Sequence, residues 1–326
     1  MVGEKTIRRT LSVDGTEIGY VLSGEGPPVL LVHGALSDRT RFEALRPHLE
    51  PHATVYAMDR RGRGFSGDGP DYDIEREYED VAAVVDAIAL AADRPVCVYG
   101  HSSGGIYAYG AALLTANIAG LVLYDGWPPT TTELWNAPRE VIEQMEALLD
   151  KGERERVVET AARGAGLSDE ELDAYRADPS WPARVAVAHT FPREERAGTG
   201  TIFDPERAAN VTVPVLLVVG EHSPPSWRAD AEAVAAALPD ARVMVLDGQG
   251  HGEICSHPRR LLSTCSRSSP SPHDTEHRPT ATRTSAGGDG HTRDLATSEQ
   301  DIIGCVRYVL LGVAMGAQRI TVSIGR

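Results

Sequence analysis

Lysine is nearly absent from this chain: Lys5 and Lys151 are its only two, and arginine carries the remaining positive charge. Cations are outnumbered, 32 Lys and Arg against 47 Asp and Glu, for a formal net charge of −15 over 326 residues. No nucleic-acid partner is expected, because phosphates need a basic face. Long apolar runs are missing too. No stretch reaches the roughly 18 apolar residues of a membrane span, so no membrane association is expected. The opening Met1-Val2-Gly3-Glu4-Lys5-Thr6 carries an acid and no apolar core, unlike a signal peptide. Cysteine is scarce. Cys97, Cys255, Cys265 and Cys305 show neither CxxC nor paired spacing, so neither a disulfide framework nor a zinc ribbon is implied. These absences together point to a cytoplasmic, reduced protein. Hydrophobic residues make up 41% of the chain, enough to build a sizeable core.

The chain changes character near residue 262. Before it, apolar strand-like runs alternate with amphipathic helical stretches. From Ser263 to Gly290 the text becomes Ser, Thr, Pro, Arg and His, as in Ser266-Arg267-Ser268-Ser269-Pro270-Ser271-Pro272. Such a composition buries too little to offset its ordering entropy, so residues 263–326 are expected to be a disordered or atypical extension. Its seven Arg nearly balance its six acids, so the acidity belongs to residues 1–262. A short apolar run, Tyr308 to Met315, reads as a marginal helix or strand or as a docking segment. The abrupt onset also fits a shifted-frame or fused tail.

Asp14-Gly15 separates two short strands, Thr6–Val13 and Glu17–Ser23, as a hairpin turn does. Pro28–Val32 is a continuous apolar run, the mark of a strand buried on both faces. Further strands are expected at Thr54–Met58, Val96–Tyr99, Leu121–Tyr124, Val215–Val219 and Arg242–Leu246. Helices are expected from Asp38 to about Pro47, Ile74–Ala92, Gly104–Thr115 and Trp227–Leu238. Alternation of this kind implies right-handed crossovers and a sheet covered on both faces. Between residues 126 and 211 the alternation stops. Four helical stretches replace it (Arg139–Leu149, Glu153–Arg163, Ser168–Arg176, Trp181–His189), read as an inserted lid.

Gly100-His101-Ser102-Ser103-Gly104 matches G-x-S-x-G, placed after one predicted strand and before a helix. A serine on so tight a turn takes strained backbone angles, and small residues two before and two after it avoid a clash. Only Ser102 fits the centre, because centring Ser103 would put His101 where a small residue is needed. The amide of Ser103 then sits at a helix start, ready to stabilise an oxyanion.

From residue 6 to about 262 the sequence resembles the α/β-hydrolase family. His33-Gly34-Ala35-Leu36 is similar to the family's oxyanion loop, which implies the amide of Ala35 as second oxyanion donor. Asp59-Arg60-Arg61-Gly62-Arg63-Gly64-Phe65-Ser66 resembles its D-x-R-G-x-G-x-S loop, and Gly248-Gln249-Gly250-His251 the loop of its catalytic histidine. The resemblance implies a mostly parallel eight-stranded α/β sheet with an inserted helical lid, and a serine hydrolase with Ser102 as nucleophile and His251 as general base. No metal and no cofactor are implied.

The acid departs from the family pattern. Its usual loop reads Gly220-Glu221-His222-Ser223, with Ser223 where Asp is expected. The second family location, after the strand that follows the nucleophile helix, holds Asp125. Asp125 is therefore the first choice and Glu221 the second; a site without an acid is the third. Leu36, His101 and Trp127 are expected to touch substrate, with Pro128, Trp135 and Trp227 nearby, whereas His33 reads as structural. A small-to-medium ester, thioester or lactone is the expected substrate. The alternatives are a non-catalytic ligand-binding protein, a cofactor-free perhydrolase and an acyltransferase. Oligomeric state is not legible. Gly62 to Gly67 also spells G-x-G-x-x-G, but an acidic loop follows where a dinucleotide site needs a helix. Cys97 reads as a packed strand residue and Cys255, four after His251, as a buried inert thiol, with a reactive thiol as the alternative. His273 and His277 stand four apart without a third metal ligand.

Overall fold

A computed structural model describes residues 6–69, 71–131, 137–198 and 202–251. The expected tail, Trp135, Cys255 and the His273–His277 pair lie outside the described residues. Eight strands form one sheet: β1 (Thr6–Leu11), β2 (Glu17–Ser23), β3 (Pro28–Val32), β4 (Thr54–Met58), β5 (Val96–His101), β6 (Ile118–Tyr124), β7 (Val215–Gly220) and β8 (Ala241–Leu246). Their order is β1-β2-β4-β3-β5-β6-β7-β8. Only the β1–β2 and β2–β4 pairings are antiparallel; the other five neighbours run parallel.

The period-2 alternation of the strands explains the layers. Leu30, Val32, Val98, Leu121, Leu123 and Leu217 face one side, packing with α2 (Ile74–Ala92), α3 (Ser103–Ala111) and α10 (Pro225–Ala237). Val29, Leu31, Tyr99, Val122 and Val218 face the other, against Phe42, Leu45 and Leu49. Every residue of β3, β5 and β7 is buried, as expected of strands covered on both faces. The stretch from Asp38 to Pro47 differs from the continuous helix expected. It forms a 3₁₀ turn, Arg39–Phe42, capped by Asp38, and then a separate single turn α1 (Arg46–Leu49). Pro47 lacks an N–H to donate back along a longer helix and its ring blocks the carbonyl four residues earlier.

Between β6 and β7 the chain leaves the sheet as a helical insertion. It contains α4 (Arg139–Asp150), α5 (Arg154–Gly164), α6 (Asp169–Ala177), α7 (Trp181–Ala186), α8 (Phe191–Ala197) and α9 (Pro205–Ala208). The last two were not expected; both begin with proline in their first turn, where its missing N–H costs nothing. Met145, Leu148, Val157 and Val158 form the insertion's own small core, and Leu36 from the loop after β3 packs into it. Among the described residues no helix is long and apolar enough to cross a membrane.

Glu195 ties the insertion to its own start by accepting the Ala137 amide at 2.8 Å. Burial, helped by the neighbouring Glu194 and opposed by that hydrogen bond, raises its carboxyl to about 7. The folded state therefore holds a proton that the unfolded chain releases near pH 4.5. Stability from this group is complete below pH 4.5 and is lost as pH rises through 7. Glu195→Gln keeps an acceptor for Ala137 and removes the titration. Across pH 5 to 8 the variant should gain stability over wild type by up to about 3 kcal/mol in denaturant unfolding. Parallel pH–stability curves would contradict this assignment.

Candidate active site

Parallel pairing sets the strand ends level. Val32 of β3 stands beside Gly100 of β5, and His101 of β5 beside Tyr124 of β6. The loops carrying Gly34, Ser102 and Asp125 thus leave the sheet at one carboxyl edge, where ligands bind in sheets of this kind. Ser102 takes φ 56° and ψ −134°, outside the ordinary regions for a residue with a side chain. Such a conformation costs about 1–3 kcal/mol and survives only where its surroundings impose it. They do so through main-chain contact. The Ser102 amide donates to the Tyr124 carbonyl at 2.9 Å, and its carbonyl accepts the Gly105 amide at 2.8 Å. A Cβ on Gly104 would lie 2.3 Å from the Val32 carbonyl oxygen, and one on Gly126 would lie 1.8 Å from that of Ser102. Side chains are excluded here by neighbouring backbone.

The loop after β3 lies directly against this turn. A Cβ on Gly34 would meet the Ser102 Cβ at 2.8 Å and its Oγ at 3.3 Å. The amides of Ala35 and Ser103 donate to no protein acceptor among the described residues, so both are free for a ligand oxygen. Ser103 opens α3, whose N-terminal end favours negative charge.

Asp125 is fully buried and also strained, with φ 44°. Its Oδ1 accepts the Gly220 amide at 3.1 Å and its Oδ2 accepts the Ser223 hydroxyl at 2.7 Å. Ser223, at the position where the family usually carries Asp, thus donates to the Asp125 carboxylate. His251 Nδ1 stands 3.5 Å from Asp125 Oδ2, within ion-pair reach and longer than a formed hydrogen bond. Glu221 is engaged elsewhere: its exposed carboxylate accepts the Gly248 amide at 2.6 Å, closing the turn before His251.

Aromatic rings hold His251 in place. His101 stacks on it at 4.9 Å between centroids, and Trp227 meets it edge-on at 5.0 Å. His101 Nε2 also bonds to the His251 carbonyl at 2.7 Å, and Tyr124 donates to the Gly250 carbonyl at 2.8 Å. Burial, reinforced by His251, Arg41 and Arg184, keeps His101 neutral well below the usual imidazole range. His101 is thus a support beneath His251 and 5% exposed, whereas substrate contact was expected of it. Leu36, with φ 46°, is buried where the loop after β3 meets the insertion, although substrate contact was expected of it too.

Trp127 corrects a second expectation. It is fully buried, and its indole donates to Asp230 of α10 at 2.8 Å. A residue two beyond Asp125 follows the chain down behind the sheet edge, so Trp127 anchors α10 and has no surface to offer a substrate. Pro128 is buried beside it. The loop from Asp59 to Gly67 is no phosphate cradle either. Asp59 is wrapped by the Arg39 side chain at 2.7 Å and by the Phe65 amide at 2.9 Å, and Cys97 is buried as expected.

Sequence reasoning missed a buried charge cluster under the loop after β3: Arg60, Arg63, Glu77 and Glu194, all at most 2% exposed. The paired arginines Arg60-Arg61, flanking a run that must be buried, were the available signal.

The contact between Gly126 and the Ser102 carbonyl yields a direct test. Gly126→Ala should lower unfolding stability by about 3 kcal/mol or more, or abolish soluble expression, because backbone has no room to give. Gly164→Ala, which meets nothing within 4 Å, should change stability by less than about 1 kcal/mol. Equal effects of the two would refute the packing described.

Comparison with known proteins agrees with this architecture. Residues 29–264 match the family model described as the alpha/beta hydrolase family. A solved alpha/beta hydrolase from Sphaerobacter thermophilus is 36% identical, with a TM-score of 0.66 over 75% of this chain and 94% of that one. The pimeloyl-[acyl-carrier protein] methyl ester esterase of Xanthomonas campestris pv. campestris is 26% identical over 260 residues, 75% of this chain and 95% of that protein. The uncharacterized hydrolase YraK of Bacillus subtilis is 35% identical over 102 residues, which span 36% of its length. A glycine-packed serine elbow, a histidine loop at the same sheet edge and a match over most of the chain lead to one conclusion: this protein belongs to the alpha/beta hydrolase family.

Proposed function

We propose that the protein is a serine hydrolase of small-to-medium carboxylic esters, thioesters or lactones, working through an acyl-enzyme on Ser102. In this reading residues 1–262 form the catalytic domain, with the insertion at about 126–211 as its lid. The observation that carries the proposal is the strained Ser102 packed against Gly34, with the neighbouring amides of Ala35 and Ser103 free to bind oxygen.

Ser102 Oγ attacks the acyl carbon while His251 takes its proton. The carbonyl electrons move to oxygen, which the Ala35 and Ser103 amides stabilise. The carbon–oxygen or carbon–sulfur bond to the leaving group then breaks, and His251 returns the proton to it. Water repeats the sequence on the acyl-enzyme and releases the acid and free Ser102. Asp125, buried and held by Gly220 and Ser223, keeps the imidazole in the tautomer that accepts from Ser102. Closing the 3.5 Å gap between Asp125 and His251 is a small rearrangement of the kind that accompanies substrate binding. The carbon chain of the substrate is placed against Trp227, whose ring meets His251 edge-on. Ester cleavage is also the activity named for the Xanthomonas relative, which supports this class. A serine nucleophile separates the site from the family's aspartate-dependent dehalogenase and epoxide chemistries.

A fluorophosphonate probe with peptide mapping tests the proposal. Wild type should carry the adduct on Ser102 and hydrolyse p-nitrophenyl butyrate, and Ser102→Ala should lose both. No adduct on the folded wild-type protein would overturn catalysis and leave a ligand-binding member of the fold.

A further inference from the structure

Burying four charges beneath a catalytic loop is costly unless they do something there, and their geometry shows what they hold. The peptide between Gly34 and Ala35 is planar and trans, so its carbonyl and its N–H point in opposite directions. Whatever holds the Gly34 oxygen therefore aims the Ala35 amide. Two donors hold it. His33 Nδ1 lies 2.9 Å away and Arg60 Nη1 3.1 Å away.

The protonation of His33 follows from its neighbours. The Arg60 main-chain N–H reaches His33 Nε2 at 3.2 Å, and an amide can only donate. Nε2 is then the acceptor, and Nδ1 carries the proton that goes to Gly34. Complete burial, with the charges of Arg60 and Arg63, keeps this imidazole neutral. The guanidinium of Arg60 is held just as firmly. Its Nε and Nη2 reach the two Glu77 oxygens at 3.0 and 2.6 Å, and Nη2 also reaches Glu194 Oε2 at 3.0 Å. Its plane lies over the Tyr107 ring at 4.2 Å. Arg63 completes the group by bonding Glu194, which makes two cations against two carboxylates. Glu77 comes from α2 under the sheet, and Glu194 comes from α8 of the helical insertion.

We propose that Arg60, braced by Glu77 and by Glu194 of the insertion, is the positioning residue that aims the Ala35 amide at the developing oxyanion. Arg60 touches no reacting atom. It acts through the carbonyl end of the peptide whose other end binds the oxyanion, and the insertion contributes to catalysis by supplying Glu194. A docked insertion is thereby a condition for a formed oxyanion hole. This inference rests on the proposed serine-hydrolase reading, in which the Ala35 amide is an oxyanion donor.

The test uses the full chain, with Arg60→Lys and Glu194→Gln compared with wild type on p-nitrophenyl butyrate. Folding is checked by circular dichroism; Glu194→Gln retains an acceptor for Arg60 and keeps the assay available if Arg60→Lys does not fold. Loss of one oxyanion donor lowers kcat about 10²–10³-fold, so misaiming one should cost at least about tenfold in Arg60→Lys and about threefold in Glu194→Gln. KM should change less than about twofold, because ground-state binding does not use this amide. Affinity for a trifluoromethyl ketone, which forms a tetrahedral adduct on serine, should fall in step with kcat. Affinity for the unreactive secondary alcohol of the same skeleton should not fall. Unchanged kcat in a folded variant, or a loss confined to KM, would overturn the inference. An inactive, unlabelled wild type would instead overturn the hydrolase reading beneath it.

Discussion

Main chain touching main chain at the carboxyl ends of β3, β5 and β6 is the constraint on which the rest of the site depends. Gly104 lies against the Val32 carbonyl and Gly126 against that of Ser102, at distances no Cβ tolerates. These contacts hold Ser102 in a conformation that costs about 1–3 kcal/mol by itself. The cost is met by tertiary packing of buried strands, each fully buried Val or Leu contributing about 1.5–3 kcal/mol. Rigid strands, not flexible loops, therefore set where the Ser102 side chain stands.

Around that point the structure uses two kinds of support. His251 is held by rings, with His101 stacked beneath and Trp227 at its edge, and its loop by side-chain bonds from His101 and Tyr124 to the His251 and Gly250 carbonyls. Asp125 and the loop after β3 are held by buried polar contacts, to Gly220 and Ser223 in one case and to His33 and Arg60 in the other. A buried arginine is tolerated only when it is paired, and here both Glu77 and Glu194 pair with Arg60. Because Glu194 belongs to the insertion, the same ion pairs that satisfy Arg60 also fasten the insertion to the scaffold.

Much of this was legible from local pattern. Fully apolar runs such as Pro28–Val32 announced strands buried on both faces, and G-x-S-x-G between a strand and a helix announced the elbow. Asp125 was legible as a candidate only because Ser223 vacated the usual acid position, and its proximity to His251 emerged from strand register. Three features were not legible. The insertion helix α8 begins with Phe191-Pro192, and proline marks a helix start as readily as an end. Trp127 and His101 looked like pocket residues by adjacency to motifs, yet adjacency along a chain turning behind a sheet edge puts alternate side chains inside. Arg60, Glu77 and Glu194 meet across separations of 17 and 134 residues, and no local pattern encodes such a pairing.

The central claim is that Ser102 works with His251 oriented by Asp125, while Ser223 occupies the family's usual acid position and donates to Asp125. Moving the acid tests it most directly. Steady-state hydrolysis of p-nitrophenyl butyrate would be measured for Asp125→Asn, Ser223→Asp and the double variant. Asp125→Asn should lower kcat by about 10³–10⁴-fold, and adding Ser223→Asp should recover at least about tenfold of that loss. Full activity in Asp125→Asn would contradict the account, since the imidazole would then be oriented by another group.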